Sequence, residues 1–153
     1  MVLLLFIGCE KPTHFTQQSL EEVFMNFSQE EQTFESILKK HKGKKILIDV
    51  WASWCKDCLV GLPDLLKLQS EAPEVVYVFL SLDKTVPRWK RAIEHYQIKG
   101  DHYFMMQGNH GEFAKFINLW WIPRYMVVDE KGDIILFKAT KITDKKIINA
   151  LKK

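Results

Sequence analysis

Several things are scarce or missing in this chain, and each absence excludes a class of protein. Its 153 residues carry no internal repeat and no low-complexity segment, which sets aside repeat architectures and disordered tails. A charge excess of one sign is missing too. The 22 Lys+Arg against 19 Asp+Glu leave a net +3, too little to make nucleic acid the default partner. The one basic concentration, Lys138, Lys141, Lys145, Lys146, Lys152 and Lys153, reads as a solvated face. The apolar start, Met1–Gly8, falls far short of the ~18 to 20 residues that a membrane-spanning helix needs. Cysteine is rare, with three in the chain, and three cannot all pair within it. A structural zinc site would need two more ligands at compatible spacing. The five histidines (His14, His41, His95, His102, His110) show no His-x(3–5)-His arrangement that would supply them, so no metal is expected.

What is present fits one domain. Hydrophobic residues make up 47% and aromatics 12%, enough to fill a single packed core at this length. The short apolar run, the small Gly8, then Cys9-Glu10-Lys11 and a polar stretch follow the order of a bacterial export signal. Leu5-Phe6-Ile7-Gly8-Cys9 resembles a lipobox, in which the cysteine becomes the lipidated first residue of the mature chain. No Lys or Arg precedes the run, and an ordinary buried strand or frayed terminus is the alternative. On the lipoprotein reading, residues 1–8 are a signal segment, 9–27 a tether and N-terminal extension, and 28–153 the domain.

Periodicity orders the domain. Ser28 with Glu31 three residues on has the form of a capping box, and Phe34, Ile37 and Leu38 share one face, so a helix is predicted from Ser28 to Lys42-Gly43. Lys45–Ala52 is apolar with almost no polar alternation, as in a strand covered on both faces. Asp49 is out of place there. A helix follows from about Lys56 to Ser70, interrupted near Pro63. Glu74–Leu82 is a second buried strand, parallel to the first because a helix joins them. A longer insertion with helices at about Pro87–Gln97 and Glu112–Leu119 comes next. Strands at Tyr125–Asp129 and Ile134–Lys138 flank a hairpin turn, Asp129-Glu130-Lys131-Gly132, and Thr143 caps a last helix through Leu151. These elements predict an α/β fold: a mixed central sheet with helices on both faces and a helical insertion after the second core strand.

Chemistry concentrates where the first strand meets its helix. Cys55 at a helix N-terminus faces unpaired backbone N–H groups and the positive end of the dipole, which favour thiolate over thiol. Cys58, three residues on, falls over the same turn, close enough to close a disulfide and release a substrate held as a mixed disulfide.

The stretch Asp49-Val50-Trp51-Ala52-Ser53-Trp54-Cys55-Lys56-Asp57-Cys58 resembles the active-site segment of the thioredoxin superfamily. Pro63 matches the proline that bends its active-site helix, and Ile122-Pro123 its cis-proline. The insertion after Asp83 and the lipobox-like start resemble the membrane-anchored, TlpA/ResA-like thiol-disulfide oxidoreductases of bacterial envelopes. That resemblance implies a thioredoxin-like fold and specific roles. Cys55 would be the nucleophile and Cys58 the resolving thiol, with Asp49 as a buried carboxylate that takes the Cys58 proton. Trp51 and Trp54 would pack around the site; Trp54, Ile122 and Pro123 would meet substrate; Lys56 and Asp57 would tune the potential. Arg124 stands where the family often has threonine. The expected protein is a monomeric, periplasm-facing lipoprotein, anchored at Cys9, that reduces protein or peptide disulfides. A membrane thiol donor would recharge it, and no cofactor beyond its own redox disulfide is implied. Two readings from other classes stay open: a thioredoxin-fold protein-binding module, and a metallochaperone using the two thiolates. Trp120-Trp121 are either core residues or an apolar substrate rim.

Overall fold

A computed structural model describes residues 11–152. In chain order its elements are α1 (Gln17–Glu21), β1 (Val23–Asn26), β2 (Glu31–Thr33), α2 (Phe34–Lys40), β3 (Ile46–Trp51), α3 (Lys56–Val60) and α4 (Leu62–Glu71). The remainder are β4 (Val76–Ser81), α5 (Val86–Tyr96), β5 (Asp101–Phe104), α6 (Glu112–Phe116), β6 (Arg124–Val128), β7 (Ile134–Ala139) and α7 (Lys145–Lys152). The strands form one mixed sheet in the order β2-β1-β5-β4-β3-β6-β7. β3, β4 and β5 run parallel, and β6 joins β3 antiparallel.

All six residues of β3 are buried, and the strand's two-residue period sorts them between two cores. Ile46, Ile48 and Val50 face a cluster closed by α2 and α6 through Phe34, Ile37 and Phe113. Leu47 and Trp51 face the other, closed by Leu65 and Leu68 of α4, Trp89 and Ile93 of α5 and Ile147 of α7. Both cysteines belong to this second cluster, so Asp49, between Leu47 and Trp51, lies on the face that carries the C-x-x-C pair.

The helix after β3 breaks at Gly61, giving α3 and α4. Pro63 sits in the first turn of α4; it has no N–H to offer the Leu59 carbonyl, so one continuous ladder cannot form. The Asp129–Gly132 turn closes the β6–β7 hairpin as expected. Asp129 Oδ1 accepts from the N–H groups of Lys131 and Asp133, each at 2.9 Å.

The structure departs from expectation in four places. Ser28 does not cap a helix: Asn26–Glu30 is the turn of the β1–β2 hairpin, with Asn26 N–H donating to Glu30 O at 2.9 Å. The helix starts at Phe34, where Thr33 Oγ1 accepts from Ser36 N–H. The described part of the segment assigned to tether and extension, residues 9–27, contributes α1 and β1, with Phe24 fully buried. Both elements are too short to show a period. The segment after β4 carries the two expected helices and also β5, whose four residues sit in the middle of the sheet order. Asp144, rather than Thr143, stands at the start of α7, its Oδ1 accepting from Lys146 N–H at 2.9 Å.

Candidate active site

Cys55 is the N-cap of α3. Its backbone is extended (φ −83°, ψ 102°), and its Sγ accepts from the Cys58 N–H at 3.2 Å. This bond aims a backbone donor at the Cys55 sulfur from the first turn of the helix. Cys55 and Cys58 are joined as a disulfide with their Cα atoms 5.3 Å apart, and each is 5% exposed. Asp57 puts a carboxylate in the first turn of α3, where it complements the dipole, and Lys56 is exposed beside it.

Asp49 of β3, on the sheet face that carries this pair, is 5% exposed, and register places it between Phe79 of β4 and Tyr125 of β6. Its Oδ1 has no hydrogen-bond partner among the described residues. Burial among these rings pushes its carboxyl up to about 8, because nothing nearby offsets the loss of water around the charged form. The same burial, together with the neighbouring Asp49 charge, pushes the Tyr125 hydroxyl up. Lys45 does not reach Asp49: its Nζ donates to Leu151 O at 3.2 Å and lies 3.7 Å from Glu130.

The turn that delivers Cys55 is held from the side. Trp51 of β3 and Ser81 of β4 are register partners, so Ser53 and Asp83, two residues on in each parallel strand, leave the sheet side by side. The Ser53 N–H and hydroxyl donate to the two Asp83 carboxylate oxygens, and the Ser81 hydroxyl adds a third bond at 2.8 Å. The sequence reading passed over this clamp. Its only linear signal is an acid just beyond the end of a buried strand.

The Ile122–Pro123 peptide bond is cis, and Pro123 is buried while Ile122 is half-buried. Trp54 and Ile122 line one groove of about 550 Å³, together with Asp83, Met106, Trp120 and Trp121. Pro123 and Asp57 line a second cavity of about 370 Å³ with Val60, Trp121 and Tyr125. Trp51 is buried beside the cysteines, whereas Trp54, Trp120 and Trp121 are 58%, 69% and 53% exposed. The two adjacent tryptophans are therefore surface and not core. Cys9 lies outside the described residues.

A parallel-centred sheet whose strand β3 leads into a helix that begins on a C-x-x-C disulfide defines a thioredoxin-fold thiol-disulfide oxidoreductase. The Redoxin family model matches residues 22–151, and the chain belongs to that family. It is similar to the thioredoxin-like protein YneN of Bacillus subtilis, 26% identical over 146 residues that span 88% of this chain and 84% of the relative. The thiol-disulfide oxidoreductase ResA of Bacillus cereus is 27% identical over 100 residues, 64% of this chain and 56% of ResA. Among solved structures, a candidate thiol-disulfide oxidoreductase from Bacteroides vulgatus superposes with a TM-score of 0.73 at 28% identity, covering 90% of this chain and 88% of that one.

Proposed function

We propose that the chain works as a disulfide reductase on polypeptide substrates at the bacterial cell envelope, and that Cys55, Cys58 and Asp49 divide the chemistry. In the reduced protein the Cys55 thiolate attacks one sulfur of a substrate disulfide. That S–S bond breaks, the other substrate sulfur leaves as a thiolate, and Cys55 is held in a mixed disulfide. The Asp49 carboxylate takes the proton of the Cys58 thiol. The Cys58 thiolate then attacks Cys55 Sγ, the second substrate sulfur leaves, and the Cys55–Cys58 disulfide closes. Two electrons pass to the substrate, and a dithiol donor from the membrane returns them.

One observation carries this reading: a disulfide that begins a helix shares a sheet face with a buried carboxyl that has, among the described residues, neither a countercharge nor a partner for Oδ1. A carboxyl held near neutral pH by burial accepts and returns a proton in the working range. Protein substrates are favoured by the tryptophan-lined groove beside Trp54. Anchoring would run through lipidated Cys9; no helix of the described residues is long and apolar enough to cross a membrane. Pro123, which shares a cavity with Asp57 of the active-site helix, would face an extended substrate, and the Lys56-Asp57 pair would set the potential. No metal or organic cofactor takes part in this scheme, and the protein would act as a monomer.

Two measurements test the proposal. The first is the potential of the Cys55–Cys58 couple in a glutathione buffer, together with turnover in insulin reduction. A reductase requires a couple more reducing than glutathione and catalysed insulin precipitation, whereas a couple as oxidising as a disulfide-forming enzyme reverses the assigned direction. The second is mass spectrometry of the N-terminal peptide from the native host. A diacylglycerol-modified Cys9 supports the anchor, and an intact Met1 start removes it.

A further inference from the structure

Nine large apolar side chains are exposed among the described residues, and four of them, Trp54, Met106, Trp120 and Trp121, line one groove. Single exposed apolar residues are ordinary, whereas a contiguous set marks a contact surface. The groove includes Trp54, the residue before Cys55, so what fills it lies along the turn that enters the active-site helix. Its volume, about 550 Å³, exceeds that of any one side chain and suits several residues of an extended chain.

The rim that carries Trp120 and Trp121 is built. Arg124, 2% exposed, has no carboxylate partner among the described residues. Its Nη1 donates to Ile117 O at 2.9 Å and its Nη2 to Phe137 O at 3.0 Å, with the guanidinium 5.1 Å from the Phe137 ring centre. Ile117 ends α6, and Asn118 after it takes a left-handed conformation (φ 49°) that turns the chain out toward the tryptophans. Arg124 thus ties the start of the 117–122 loop to β7, while its own backbone in β6 fixes the loop's end. Burying an unpaired guanidinium is a costly way to fill a core; its two carbonyl bonds give it a use that an apolar residue could not match. On the outer side, Lys138 Nζ sits 4.9 Å from the Trp120 ring centre, and the two tryptophan rings are 6.3 Å apart.

We propose that Trp120 and Trp121, positioned by Arg124, form a specificity subsite that takes a bulky apolar side chain flanking the reactive cysteine of an extended polypeptide. The subsite rests on the Cys55–Cys58 exchange reaction proposed above and names the substrates that reaction prefers. A concave groove that includes Trp54, the residue before Cys55, distinguishes this occupant from a lipid surface, which a flat or convex aromatic face would suit better.

The test compares kcat/KM for two otherwise identical disulfide-linked peptides, one with Leu and Phe beside the cysteine and one with Ser and Gly. Glutathione disulfide serves as a substrate without apolar side chains. Wild type is expected to prefer the apolar peptide, and Trp120→Ser with Trp121→Ser to cut that preference about tenfold, mainly through KM. Arg124→Met is expected to reproduce the loss through loop displacement. Arg124→Lys, which keeps the charge but cannot reach both carbonyls, should fall between and covers the case in which the Met variant does not fold. Tyr96→Ser, exposed but outside the groove, should keep the preference. Exchange by wild type with equal kcat/KM for both peptides overturns the subsite alone, as does a preference untouched by the tryptophan substitutions. Loss of binding to phosphatidylcholine vesicles in the tryptophan variant, with peptide preference intact, reassigns the rim to a lipid surface. Wild type that exchanges neither peptide nor glutathione disulfide removes the Cys55–Cys58 mechanism and the subsite with it.

Discussion

Asp83 holds Ser53 at two points, one carboxylate oxygen taking the Ser53 N–H at 3.0 Å and the other its hydroxyl. Ser53 lies two residues before Cys55, so the acid at the end of β4 sets the path of the turn that enters α3. Asp83→Ala leaves the Ser53 N–H and the Ser81 hydroxyl without their acceptor in a largely buried site. A stability loss of about 1–3 kcal/mol is expected, together with slower attack by Cys55. Asp83→Asn should recover much of the stability. Urea unfolding beside stopped-flow exchange checks this, and unchanged exchange in the Ala variant removes Asp83 from the positioning role.

Cys55→Ser is expected to abolish disulfide exchange, and Cys58→Ser to accumulate mixed disulfides, because attack needs the helix-capping sulfur and release needs the other. Non-reducing gels with mass identification of the trapped species read the difference. Equal loss in both variants with nothing trapped contradicts the division of roles.

Asp49→Asn is expected to slow the resolving step about tenfold to a hundredfold near neutral pH, since asparagine keeps the shape but cannot take the Cys58 proton. Stability should move the opposite way. Burial raises this carboxyl from 3.8 to about 8, so over that interval the folded state keeps a proton that the unfolded state has lost. Unfolding free energy therefore falls as pH rises from about 3.8 and levels off above about 8. The Asn variant lacks this decline, and its advantage over wild type should grow across the same window. Melting curves at several pH values, with single-turnover release of a mixed disulfide, measure both effects. Parallel curves for the two proteins would mean that Asp49 is not titrating there.

Gly100→Ala should destabilise the sheet. Gly100 has φ +140°, and an added Cβ would lie 2.7 Å from the Tyr77 carbonyl oxygen and 2.6 Å from the Phe79 ring. Strain of this kind costs about 1–3 kcal/mol. Chemical unfolding gives the number, and the exchange rate measured below the transition should stay near wild type because the site is formed by other residues.

Much of the core was legible because local signals there are strong. β3 and β4 announce themselves as continuous apolar runs, Pro63 forbids an unbroken helix, and Asp129–Gly132 can hardly be other than a tight turn. Asp49 stood out as the one charge in the interior of such a run. The β2-β1-β5 side of the sheet was hidden for the opposite reason. β1, β2 and β5 have four, three and four residues, too few for a period, and Ser28-Gln29-Glu30-Glu31 carries helix-start residues that the β1–β2 turn uses instead.

The sequence by itself determined the chemistry: two cysteines spaced to share one helical turn, placed after a strand apolar enough to require burial. Spacing decides this because both sulfurs, and the backbone donor between them, belong to one short segment. The tertiary structure alone decided what surrounds them. Asp83 meets Ser53 across 30 residues only because β3 and β4 pair in parallel with Trp51 opposite Ser81. Arg124 reaches Ile117 and Phe137 only once β6 and β7 are paired and α6 has closed over the sheet. Trp120 and Trp121 become a rim rather than core by the same route, since whether an aromatic pair is covered depends on which elements pack beside it, and no local pattern encodes that.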